Sequence, residues 1–149
     1  MSANTSPIYT LTPNISGKAP TAANTNSDGT GTIGTNIFLA FTAGASGSYI
    51  SVIRWSAVGT AAATNTTATV GRIFFSSLTS GTTSPGNNTF LVAEYSLAVQ
   101  ATDHSTNATF FIEVPINKAL PSGWSVLVTN HAAPAANTAW QAVVYGGDY

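Results

Sequence analysis

The sequence predicts an all-β chain: an antiparallel β-sandwich, with jelly roll as the expected wiring, preceded by an extended N-terminal arm. Two observations predict this. Seven segments rich in β-branched and aromatic residues recur between Gly, Pro, Asn and Thr clusters, with the lengths and punctuation of strands. No window carries a sustained helical period with caps. Strands of this number in 149 residues, a length that suits one domain, bury their apolar faces most simply as two packed sheets.

Residues 1–34 are read as the arm. They offer few core-forming side chains apart from a weak eighth strand candidate, "PIYTLT", at 7–12. Ile8, Tyr9 and Leu11 give it enough apolar character to add a strand to an exposed sheet edge on another chain, with "NTNSDGTGTIG" as the tether. The sandwich domain spans residues 35–149, and its first strand is "NIFLAFT", in which Ile37, Leu39 and Phe41 alternate. "SYISVIRWS", "ATVGRIFFS" and "TFLVAEYSL" follow. The polar stretch "SSLTSGTTSPGNNT" between the last two is expected to project from one end of the sandwich. "TFFIEVPI" alternates Phe110, Ile112, Val114 and Ile116, and "WSVLVT" alternates Trp124, Val126 and Val128. In "AWQAVVY" the alternating set is Trp140, Ala142 and Val144. Period two assigns each set to the core. "LPSGW" before "WSVLVT" has the Pro and Gly spacing of a type I turn.

The charged fraction is 6% and the net charge −1, where about 25% charged is typical of a globular chain. A surface so neutral favours association. The basic residues Lys18, Arg54, Arg72 and Lys118 are scattered, so no stripe could neutralise several phosphates, and no nucleic-acid partner is expected. Apolar runs fall far short of the ~20 residues of a membrane span, so no membrane partner is expected either. "MSANTSPIYTLTP" lacks a basic n-region and an apolar h-region, which predicts synthesis in the cytoplasm without a signal peptide. With no cysteine, a disulfide framework or thiolate metal site is impossible.

Several chemical motifs have blander readings. Gly29, Gly31 and Gly34 fit G-x-G-x-x-G, but a dinucleotide fingerprint needs a preceding strand and a following helix. Here Gly34 leads into a strand, so the glycines are read as keeping the arm flexible. Asp103, His104, His131 and Asp148 lack ligand spacing and are read as solvated. The N-x-S/T triplets at Asn4, Asn14, Asn65, Asn87 and Asn107 read the same way. Glu94 and Glu113 could imitate a carboxylate pair. Together with Arg54 and Arg72 they instead sit at strand centres, which suits cross-strand or intersubunit ion pairs. Tyr149, after "GGD", is read as free to dock on a neighbour. No catalytic residue, cofactor or metal is expected.

The segments "GRIFFSS", "LVAEYSL", "LPSGWSVLVT" and "AWQAVVYGGDY" resemble, in that order, a group of small tailed-phage virion proteins. The resemblance covers about residues 35–149 and leaves the arm unmatched. It implies a capsid decoration, or cement, protein that binds the major capsid protein as a homotrimer on the virion surface. Ile8, Tyr9, Leu11, Arg54, Arg72, Glu94, Glu113 and Tyr149 are the candidate partner-binding residues. The alternative is a tail or head fibre component, or a receptor- or glycan-binding module using the loops at 60–67 and 80–89.

Overall fold

A computed structural model describes residues 10–60, 65–102 and 108–149. Its strands are β1 (Thr12–Lys18), β2 (Gly31–Thr32), β3 (Phe38–Thr42), β4 (Ser48–Gly59), β5 (Thr69–Ser76), β6 (Thr82–Thr83), β7 (Thr89–Leu97), β8 (Phe111–Leu120), β9 (Ser125–Asn130) and β10 (Thr138–Asp148). One four-stranded sheet has the order β1-β10-β4-β8 and a second β3-β9-β5-β7, while β2 and β6 form a small ribbon. Each ladder is antiparallel. The chain is therefore an all-β, antiparallel sandwich, and each of the seven strong sequence segments became a strand.

The two sheets meet across one core. Ile50, Ile53, Trp55, Trp140 and Val144 from the first sheet pack in the same cluster as Phe38, Phe41, Ile73, Val126 and Val128 from the second. Behind the second sheet lies a smaller cluster of Ile37, Phe74 and Leu127, with Ile33 and Leu39 against it. The central strand β9 is thus covered on both faces, and all its residues are buried. That is why Leu127, between the alternating Val126 and Val128, is apolar as well.

Register breaks explain where simple alternation fails. Ile37, Leu39 and Phe41 do not share a face: the register shifts between Leu39 and Phe41, so Phe41 joins the main core while Ile37 and Leu39 face the rear cluster. Similarly, a shift between Ile50 and Val52 changes which residues of β4 point inward. An extra residue in one strand has this effect because side chains alternate with period two. Phe110 precedes β8 and stays partly exposed, edge-on to Trp140 with ring centroids 6.2 Å apart.

The eighth strand is Thr12–Lys18; of "PIYTLT" it contains Thr12 alone, and residues 7–9 lie outside the described residues. β1 pairs with β10 from Thr12 opposite Asp148 to Lys18 opposite Ala142. Six of its seven residues are exposed, so backbone pairing rather than side-chain burial builds it, and period-two patterning had little to detect. Side chains then tie it across to the other sheet: Ser16 Oγ donates to the Ala40 carbonyl at 2.6 Å and Asn14 Nδ2 to that of Thr42 at 3.5 Å. This closes one side of the sandwich.

Further along, the stretch read as a tether lies against the second sheet. The Asn24 backbone N–H donates to the Asn130 backbone carbonyl at 2.8 Å. The Thr83 hydroxyl bonds the carbonyls of both Gly29 and Gly31. The segment 77–88, expected to project from one end, instead turns back here through β6 and buries Thr83. A Cβ on Gly29 would meet the Phe74 ring at 3.0 Å, and Gly29 has φ +87°. That glycine permits close packing against the sheet, a role different from the flexibility expected of it. Finally, Trp124 N donates to the Pro121 carbonyl at 3.1 Å and Gly123 has φ +77°. Positive φ at the third position marks a type II turn, where type I was expected.

Candidate interaction surfaces

The four mid-strand charges form two cross-strand pairs. Arg54 on β4 stands opposite Glu113 on β8, and Arg72 on β5 opposite Glu94 on β7. Arg54 Nε donates to Glu113 Oε1 at 3.1 Å, and the side chains are 36% and 47% exposed. The guanidinium lies 4.4 Å from the Phe111 ring centroid and 5.6 Å from that of Tyr145. This arrangement combines an ion pair with cation–π contacts on the outer face of the first sheet. The hydrogen bond to Glu113 raises the Arg54 pKa above its ordinary value, so the guanidinium stays charged.

Arg72 has a different environment. The residue is 5% exposed. Its Nε donates to Glu94 Oε1 at 2.6 Å, its Nη1 to the Asn24 carbonyl at 3.1 Å, and its Nη2 lies 3.3 Å from His131 Nδ1. One buried cation therefore joins β5, β7, the segment after β9 and the stretch before β2. Its fork geometry supplies donors to several acceptors at once. Arg72 is occupied by internal contacts, and His131 belongs to this cluster.

The C-terminus is anchored as well. The Asp148 carboxylate accepts hydrogen bonds from the Ser48 hydroxyl and from Asn14 Nδ2, the latter at 3.0 Å to each oxygen. The Ser48 bond, then the Asn14 bond, lowers the Asp148 pKa. Tyr149 donates its backbone N–H to the Gly47 carbonyl at 3.2 Å and is half-buried. The "GGD" before it is the end of β10, not a loose tether. A Cβ on Gly146 would come 2.6 Å from the Tyr49 carbonyl oxygen, so glycine is required there for close strand approach.

Of the remaining candidates, Leu11 is 82% exposed although its backbone N–H donates to the Asp148 carbonyl at 2.7 Å. Ile8, Tyr9, Asp103 and His104 lie outside the described residues. Glu94 and Glu113 belong to different sheets, each bound to its own arginine. No cluster of metal-ligating side chains occurs among the described residues. In the loop at 60–67, Thr66 is buried and pairs with Gln100, while 61–64 lie outside the described residues.

Sequence reasoning missed the edges opposite the β1–β3 side, which no described strand covers. With β1 tied to β3, strands β7 and β8 are left as the other outer strands of their sheets. Six of the eight large hydrophobic residues exposed among the described residues lie on β7, on β8 or on the chain between them, Phe90, Leu91, Val92, Val99, Phe110 and Phe111, but they share no single face: Leu91 stands opposite Phe74 of the rear cluster, whereas Phe111 lies against Arg54 on the outer face of the first sheet. Their placement needed strand order and register, which the sequence alone does not provide; the runs "FLV" and "FF" were its only trace. Against known proteins, no family model, curated protein or solved structure matches this chain.

Proposed function

We propose that this chain is a non-enzymatic structural protein of a tailed-phage virion, a capsid decoration protein that binds the major capsid protein shell as a homotrimer. The observation that carries the reading is the set of hydrophobic side chains left exposed on β7 and β8 of a nearly uncharged protein. Two of its four basic residues and two of its five acidic residues are consumed in internal pairs, so little surface charge remains to keep copies apart. The particle context comes from the resemblance of the ordered motifs to small tailed-phage virion proteins. The strand order β1-β10-β4-β8 over β3-β9-β5-β7 supports jelly-roll wiring, with the first and last long strands adjacent.

Quantitative mass spectrometry of purified virions tests this reading. A decoration protein is present in hundreds of copies, in proportion to the major capsid protein. A handful of copies per particle assigns the chain to a tail or fibre, and its absence from virions refutes the proposal.

A further inference from the structure

Val126 and Val128 of β9 point into the core between the sheets, and Asn130, two residues on, takes the next place in that row. Period two asks for an apolar side chain there. The residue is instead an amide, only 1% exposed. Asn130 stands directly opposite Gly71 on β5, and the Cβ positions of such a pair are about 4.5–5.5 Å apart. A Cβ at Gly71 would lie 3.2 Å from Cε2 of the fully buried Trp55, the ring carbon bonded to the indole nitrogen. The Trp55 N–H and the Asn130 amide are therefore neighbours inside the sandwich.

Four buried side-chain polar atoms find no hydrogen-bond partner among the described residues, and three belong to this pair: Trp55 Nε1, Asn130 Nδ2 and Asn130 Oδ1. The fourth, Thr129 Oγ1, is one residue back on β9 and so faces the other side of the sheet. Trp140 shows the usual solution for a buried indole, since its Nε1 donates to the Thr67 carbonyl at 3.1 Å. Buried polar groups that lack a protein partner are satisfied by internal water, which bonds about 2–4 of them. We infer that Trp55 and Asn130 form a binding site for internal water between the two sheets. Water accepts from the Trp55 Nε1–H and from Asn130 Nδ2–H and donates to Asn130 Oδ1, so its lone pairs and protons match the groups present. Residues 22–24 close the site from outside: Ala22 packs against the core, Ala23 bridges Asn130, and the Asn24 backbone N–H bonds the Asn130 carbonyl. The site gives a reason for an amide at a core position of the central strand.

The experiment is water–protein NOESY and ROESY on the 15N-labelled full chain and on Asn130→Leu, read at the indole N–H resonances. Trp55→Phe identifies the Trp55 signal, and opposite signs in the two spectra separate a bound water from proton exchange with solvent. The inference expects a water cross-peak at the Trp55 indole of the parent and its loss in Asn130→Leu, with the Trp140 indole signal, held by Thr67, unchanged by that substitution. No water cross-peak at Trp55 in the parent overturns the inference, as when its N–H bonds Asn130 Oδ1 directly. A cross-peak that survives Asn130→Leu overturns Asn130 as a ligand of the water. Should Asn130→Leu fail to fold, the Asn130 Nδ2 protons of the parent decide: a cross-peak to bound water there supports the site, and its absence refutes it.

Discussion

Replacing Arg72 with alanine is expected to destabilise the sandwich far more than the same change at Arg54, although both pair with a glutamate on the neighbouring strand. The residue is 5% exposed and gives hydrogen bonds to Glu94 and to the Asn24 carbonyl, with His131 Nδ1 also within 3.3 Å. Breaking a buried ion pair costs about 3–5 kcal/mol. Here the Glu94 side chain is 42% exposed, so water recovers its charge and the lower part of the range applies. Losing the bond to the Asn24 carbonyl adds about 1 kcal/mol, and the removed aliphatic stem leaves a void. The total is roughly 4–5 kcal/mol, or about 8–20 °C in melting temperature at 2–4 °C per kcal/mol for a domain of this size. Arg54, on an open face with its partner 47% exposed, should shift melting little. Differential scanning calorimetry of both variants measures the contrast. An Arg72→Ala protein melting within a degree of the parent, or an Arg54→Ala protein equally destabilised, refutes the assignment of Arg72 as the internal tie.

Other outcomes follow from the same contacts. Asp148 has a lowered folded pKa, so its contribution is present above the unfolded value of about 3.9 and is lost as pH falls through the folded one. Melting profiles should show Asp148→Asn less stable at neutral pH and less sensitive to acidification below about pH 5 than the parent. Gly146→Ala places a Cβ against the Tyr49 carbonyl oxygen at 2.6 Å; urea titration should show a loss of about 1–3 kcal/mol, and an unchanged midpoint contradicts the close approach. Deleting residues 2–30 removes all of β1 and the Asn24 anchor, so circular dichroism should show a strongly lowered melting temperature. An unchanged melt restores the reading of this region as a detachable arm.

Much of the architecture was legible in the sequence because its strong strands carry their information in side chains. "SYISVIRWS" and "AWQAVVY" alternate apolar and polar residues, and Trp55 and Trp140 are buried where alternation puts them. The central charges were legible as cross-strand pairs, though only register decided which arginine met which glutamate. β1 was missed because its contribution lies in backbone pairing. The covering of the second sheet by 20–37 depends on Asn24, Thr83 and backbone carbonyls, polar groups that look alike in a loop and in a packed layer. The bulge between Leu39 and Phe41 left no compositional mark, so Ile37 was assigned to the wrong face. Tyr149 was misread because "GGD" signals flexibility in isolation, whereas here close strand approach demands glycine. Which exposed hydrophobic residues share a face follows only from strand order and register.

The central claim, that this chain is a subunit built to assemble with itself, is tested most directly by the mass of the unmodified protein in solution. Light scattering on the full chain at micromolar concentration should give about three times the 15.2 kDa subunit mass, as a closed cyclic assembly requires. A stable single subunit at that concentration contradicts the account.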